Sequence, residues 1–352
     1  MLIEMSGGTA SSARPLLEWL LALHPDTPKT RAKQWIVAGR VSVNGQVIRK
    51  PQALVEDPGG TLRLLERQST SLDCGEGWQI HPRVSLLHLD SALAIVNKEA
   101  GLVSVPAPSI DLSALSILQD FLRGQLRVAD RSVGGRTLPP VFRRLNLLPV
   151  HRIDQFTSGV LCVACNPVAR EKLIDQVRNH DMKREYVAFV EGRPPAGKGT
   201  WRDLLSLSPD EFEQRVISQL PTSPSGEKIQ EAVTHYEVME TYSIGPADAF
   251  VTKLTLRLET GLRHQIRIQA AHAGLPLVGE RKYRIATGHG KGQVRLIDFP
   301  RQALHAATLT LEHPDQPGRK LTWRAPLPKD LRQLEHNLRQ RSGKAAPKYK
   351  AQ

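Results

Sequence analysis

Cysteine is scarce in this chain. Cys74, Cys162 and Cys165 are the only three in 352 residues, too few to staple a fold together, which excludes the disulfide-framework class. With no secretory start, a reducing cytoplasm is the expected setting. Cys162 and Cys165 do spell C-x-x-C. They lie in an apolar run, however, where strand positions three apart face opposite ways, and no second Cys/His pair completes a site, so no metal is expected. Long apolar runs are also missing. None approaches the roughly 20 residues that span a bilayer, so no membrane partner is expected. Acid is in deficit, 35 Asp and Glu against 48 Lys and Arg, for a formal charge of +13. That imbalance makes a polyanion the first candidate partner.

The deficit is sharpest near the N-terminus. Residues 1–13 are small and polar without periodicity and are expected to be disordered. Leu16, Leu17, Leu20, Leu21 and Leu23 then form a helical stripe that Pro25 to Pro28 breaks. A second helix is expected with Thr30 as its cap, Ala32, Trp35 and Ile36 inward and Gly39 as its stop, followed by a hairpin turning at Asn44-Gly45. Lys29, Arg31, Lys33, Arg40, Arg49 and Lys50 fall in this stretch with no acid among them, the pattern of a phosphate-binding face. The run K-T-R-A-K-Q-W-I-x-x-G-R-V-x-V-N-G resembles the small RNA-binding module of ribosomal protein S-four, here spanning 14–66. Residues 67–82, rich in Ser, Gly, Asp and Pro, read as a linker.

An α+β region follows over 83–335. Apolar strand-like runs alternate with amphipathic helices, among them Leu112 to Leu122 and a helix starting at Pro167 behind an Asn166 cap. Residues 197–230 look polar and irregular, and 336–352 reads as a basic, flexible tail. Between the two helices stands His151-Arg152-Ile153-Asp154-Gln155-Phe156-Thr157-Ser158-Gly159, a tight polar loop running into the strand Val160 to Ala164. A rigid loop before a buried strand is a mount for a nucleophilic or basic carboxylate, although an Asp three residues after a His is by itself common and usually structural.

The pattern H-R-hydrophobic-D-x-x-T-S-G resembles the signature of the RluA-type pseudouridine synthases. Three further segments are similar to that family in the right order. Within Lys183 to Gly192, Tyr186 stands as the tyrosine of K-x-Y-x-A-x-V-x-G, Thr260 to Arg267 followed by Gly274 to Tyr283 matches T-G-R-x-H-Q-I-R and G-x-P-I-x-G-D-x-x-Y, and Arg301 to Ala306 matches R-Q-x-L-H-A. Two departures stand out. Leu262 occupies the place of the family's basic residue after T-G, with Arg263 one position later, and Glu280 replaces the usual aspartate.

The resemblance implies an α+β fold, a mixed, largely antiparallel bent sheet with flanking helices, and a reaction on ribosomal or transfer RNA needing no cofactor. By the same resemblance Asp154 is the catalytic residue, Tyr186 stacks on uracil, and Arg152 fills the space left by an extruded base. A buried carboxylate needs a nearby cation, and Arg263 or Arg267 must supply it, with Arg263 the first candidate and Arg267 the second, or a phosphate ligand. His305 reads as a hydrogen-bonded structural residue. The expected state is a monomer. The altered T-G-L-R segment leaves one alternative open, a non-catalytic RNA-binding or ribosome-assembly protein that kept the fold.

Overall fold

The computed structural model describes residues 13–37, 39–56, 58, 60–64, 71–126, 138–207, 214–217, 228–245, 249–283 and 296–342. Most of the expected disordered start, residues 127–137 and the last ten residues of the expected tail lie outside them. The chain divides into two compact units, Met1–Thr70 and Ser71–Gln352.

In the first unit, α1 (Leu16–Leu23) buries Leu16, Leu17 and Leu20 against Ala32 and Ile36 of α2 (Lys29–Val37). Leu23, counted in the stripe, is exposed. Thr30 does not cap α2, which already begins at Lys29, one residue after Pro28. Proline suits that entry because the first helical N–H groups have no intrahelical partner to lose. The Val41–Val43 strand then turns back through Asn44 and Gly45, both at positive φ, into Gln46–Val47. This hairpin and the two helices enclose a core of nine buried residues, enough to exclude water but small for a free-standing domain.

The second unit is a mixed sheet flanked by helices. Its main strands are β1 (Leu72–His81), β2 (Val84–Leu89), β3 (Leu93–Lys98), β4 (Ser158–Ala164), β5 (Lys183–Glu191), β6 (Lys198–Leu207), β7 (Gln214–Ile217), β8 (Lys228–Ser243), β9 (Phe250–Leu258), β10 (Leu304–Glu312) and β11 (Lys320–Arg324). They run in the order β7-β6-β8-β9-β5-β10-β4-β3-β2-β1, with β11 on β10. Alternate residues of β3 and β4 feed different cores: Ala94, Val96, Leu161 and Val163 pack with α3 (Ala114–Arg123), while Leu93, Ile95, Val160 and Cys162 pack with Leu173 of α4 (Pro167–Arg178). Cys162 and Cys165 accordingly sit in separate cores. Asn166 caps α4 by accepting from the Ala169 N–H at 2.8 Å. α5 (Gln265–His272) lies over β5 and β9, and α6 (Lys329–Arg341) covers Phe189, Tyr242 and Val251.

Three expectations are corrected. The linker placed at 67–82 is largely strand β1: the Gly-rich Asp73-Cys74-Gly75-Glu76-Gly77 obscures an alternation in which Cys74, Trp78 and Ile80 are buried. The excursion at 197–230 contains β6 and β7, in which Lys198, Arg202 and Arg215 are exposed while Trp201 and Leu205 are buried. The tail set to begin at 336 is helical to Arg341, because Leu331, Leu334 and Leu338 carry a buried stripe through it.

The parallel pairing of β4 with β10 fixes where the His151–Gly159 run ends. Ser158 faces His305 and Gly159 faces Ala306. Gly159 holds φ at +119°, and a Cβ there would overlap the Ala306 carbonyl. Gly159→Ala is therefore expected to destabilise the fold by about 3 kcal/mol or more, since neither the conformation nor the space can be recovered without moving backbone. Denaturant unfolding checks this; a loss below about 1 kcal/mol would contradict the close approach.

Candidate active site

The loop bearing Asp154 is held from below by groups distant in sequence. Lys98, fully buried at the end of β3, points its ammonium at four carbonyls: Glu99 at 3.1 Å, Leu102 at 2.8 Å, Gln155 at 3.2 Å and Thr157 at 2.6 Å. Ser104 donates to the Ile153 carbonyl and accepts from the Ile153 N–H. From the other side Arg301, clamped bidentately by Asp330, donates to the Phe156 carbonyl at 3.1 Å. His151 accepts the Cys162 N–H at 3.0 Å, and burial pushes its pKa down to about 3, so it is a neutral structural residue. His305 is held between Ser158 and the Ala325 carbonyl, with its pKa lowered to about 4 by burial.

Burial pushes Lys98 down to about 7, against the pull of Asp154. The fold disfavours its charge, so folding stability should rise with pH between about 7 and the unfolded lysine value near 10.4. The grip on the loop should change the other way, because a neutral amine loses a donor and turns a lone pair towards carbonyls. Lys98→Met is therefore expected to lower kcat by about 100-fold with little change in KM, and to remove a decline in kcat as pH rises through about 7. A variant with wild-type kcat and an unchanged pH profile would refute the pin.

The opposite wall is built by the T-G-L-R-H-Q segment. Gln265 accepts from the Thr260 hydroxyl and the Leu262 N–H, and donates to the Val233 carbonyl and Thr234. This network turns the chain sharply into α5, with His264 at a φ of +54° immediately before it. One turn in, Arg267 is 9 % exposed and lies between two carboxylates. It grips Glu280 through two 2.8 Å bonds and reaches Asp154 at 3.3 Å. Glu280, itself fully buried, also accepts the N–H groups of Arg281, Lys282 and Tyr283. Those partners hold the Glu280 pKa below its ordinary value against the upward push of burial, which is the larger single effect. His264 bonds Tyr283 at 2.7 Å and stands 3.8 Å from Asp154; burial lowers its pKa to about 4, leaving it neutral near pH 7.

Between these walls opens a cleft lined among others by Arg152, Asp154, Arg184, Tyr186, Leu262, His264 and Arg267. Tyr186 is 7 % exposed on β5, and burial raises its pKa, so it presents an un-ionised phenol. A carboxylate paired to a guanidinium, beside an aromatic ring in a solvent-open cleft, is equipped to act on a flat, polar ring attached to a sugar.

Residues 92–272 match the RNA pseudouridylate synthase family, and residues 14–61 match the S4 domain. The chain belongs to the RNA pseudouridylate synthase family. It is 32% identical over 329 residues to the ribosomal large subunit pseudouridine synthase D of Escherichia coli K12, covering 91% of this chain and 89% of that protein. It is 29% identical over 340 residues to the uncharacterized RNA pseudouridine synthase YlyB of Bacillus subtilis, covering 96% and 98%. Among solved structures, human RNA pseudouridylate synthase domain containing 4 superposes with a TM-score of 0.50 at 19% identity over 72% of this chain and 92% of that one, a likeness of fold alone.

The family's motifs thus meet around one cleft. Asp154, Tyr186, Arg152 and Arg267 all line it. The ion pair to Asp154 comes from Arg267, not from Arg263, which precedes α5 and is not among the residues that line the cleft. Arg267 lies within the buried first turn of α5, whereas Arg263 stands in the segment ahead of the helix. In the N-terminal unit Lys29, Arg31, Lys33, Arg49 and Lys50 are exposed and Arg40 is half-buried. Arg31 and Arg40 both stack on Trp35, at 5.8 and 5.4 Å, so that the ring orders two of the six cations. Sequence reasoning assigned no role to Lys98, Arg184 or His264. Arg184 carried a readable signal, since it stands two positions before Tyr186 on one strand and so shares its face.

Proposed function

We propose that this protein converts a specific uridine of large-subunit ribosomal RNA to pseudouridine, with Asp154 as the catalytic residue, acting as a cytoplasmic monomer. The observation that carries the reading is the Asp154–Arg267 ion pair at the mouth of a cleft walled by Tyr186. Asp154 opens the reaction, by attack on the sugar or the base or by removing a sugar proton. The bond from C1′ to the ring nitrogen breaks, uracil turns within the cleft, and C1′ bonds to a ring carbon, which gives up its proton. Arg267 holds the carboxylate in register, and Glu280 holds Arg267. Tyr186 stacks on the flat base with its hydroxyl un-ionised, and exposed Arg152 at the rim takes the space the base leaves in the RNA. The cations from Lys29 to Lys50 hold phosphates of the RNA.

Ribosomal rather than transfer RNA is favoured by the relatives named as synthase D, whose names specify the ribosomal large subunit. Deleting the gene and mapping cellular RNA by mass spectrometry tests this. The expected outcome is loss of pseudouridine from a large-subunit fragment, restored by the intact gene. Loss confined to transfer RNA would overturn the choice of substrate.

A further inference from the structure

The cleft holds a second buried cation, and its counter-charge is missing. Arg184 lies on β5 two residues before Tyr186, 8 % exposed, and lines the cleft. Among the described residues no carboxylate pairs with its guanidinium and no hydrogen bond reaches it, and its Nε is buried without a partner. The contrast with Arg267, which is held by two carboxylates, is sharp. Nor is the side chain there for want of another place, because the chain makes room for it: a Cβ on Gly261 would overlap the Arg184 guanidinium. Both Arg184 and Asp154 act electrostatically on the Tyr186 phenol, so the three stand around one space.

A guanidinium cannot shed its proton to escape burial. Removing such a charge from water without a partner is costly, and the cost persists only where a ligand returns the anion. The pieces of a uridine in RNA differ in what they offer. Uracil and ribose present neutral oxygens; the phosphodiester alone carries a full charge with oxygens spaced for a guanidinium fork. Arg184 also lies about 7 Å along the strand from Tyr186, a step comparable to the distance from a base to its own backbone.

We propose that Arg184 is a substrate-binding residue that takes the phosphodiester adjoining the uridine seated in the cleft. This rests on the reading of the cleft as a uridine site. It adds a charge contact inside the active site, separate from the cations of the N-terminal unit.

The test uses the full chain, wild type, Arg184→Gln and Arg184→Lys, binding a synthetic oligouridylate of about nine nucleotides across a range of salt concentrations. Arg184→Gln is expected to weaken binding about tenfold and to make the slope of log affinity against log salt shallower by roughly 0.7, the share of one single-stranded phosphate. Arg184→Lys should restore the slope but only part of the affinity, since a point charge lacks the fork. The unliganded Gln variant should melt no lower than wild type, because it loses an unpaired charge. Weaker binding with an unchanged slope would put Arg184 on a neutral oxygen of the base and overturn the phosphate assignment. Unchanged binding, a lower melting temperature without a binding defect, or failure to fold would place Arg184 in the scaffold and overturn the proposal. The N-terminal cations are common to all three proteins and cancel. None of these readouts uses turnover, so failure of the isomerase reading would be seen separately, as binding without product.

Discussion

Asp154→Asn is expected to reduce pseudouridine formation by on the order of 10⁴-fold or more while changing RNA affinity by less than about twofold. The substitution preserves shape, and the amide oxygen can still accept from Arg267, which donates at 3.3 Å in the native site. The loop itself is held through the backbone of residues 153, 155, 156 and 157 by Ser104, Lys98 and Arg301, none of which touches the carboxylate. What disappears is the anionic oxygen to which the proposed mechanism assigns the first step. Single-turnover measurements on the folded variant check this. Turnover within about tenfold of wild type would remove Asp154 from the chemistry.

Arg267→Met should damage both stability and activity, and the two losses should separate. Arg267 neutralises a fully buried Glu280 through two charge-assisted bonds. Removing one partner of such a pair leaves an uncompensated buried charge, at a cost of about 3–5 kcal/mol. The pair's contribution also has a definite pH dependence. Because the folded Glu280 pKa is lowered, its stabilisation is fully present above the unfolded glutamate value and is lost as pH falls through the folded one, so wild type should weaken below about pH 4. Adding Glu280→Gln to Arg267→Met should recover most of the stability, since the amide oxygen can still accept the three backbone N–H groups. Activity should stay about 100-fold or more below wild type in both, because Asp154 has lost its cation. Recovery of activity in the double variant would show that Arg267 serves the fold and not the carboxylate.

Much of the site was readable because its residues are local to their motifs. The H-R-I-D-Q-F-T-S-G run announces a loop entering a strand, and the Asn166 cap with Pro167 fixes the helix behind it. The glycine of that run has a structural cause that spacing alone could not give: it passes the Ala306 carbonyl, 147 positions away. The same limit hid Lys98, whose acceptors at Gln155 and Thr157 are nearly 60 residues distant. Its place after an apolar strand gives no sign of the four carbonyls that surround it. Strand β1 was missed because its glycines interrupt the alternation, and β6 because its outward face is polar. The choice between Arg263 and Arg267 turned on where α5 starts, which depends on the Gln265 network and not on the spacing of the arginines. With Arg267 in place on Asp154, the substitution at Leu262 no longer argues for a protein that kept the fold without the chemistry.

Forming a bond from C1′ to the ring carbon releases the hydrogen that carbon carried, so tritium placed on C5 of uracil reports the isomerisation directly. The decisive measurement is tritium release from unmodified large-subunit ribosomal RNA labelled in this way, incubated with the purified protein and, in parallel, with Asp154→Asn. The account predicts release that plateaus at a small whole number per RNA molecule with the wild-type protein and stays at background with the variant. Background release from the wild-type protein on an RNA it binds, or equal release from both, would contradict it.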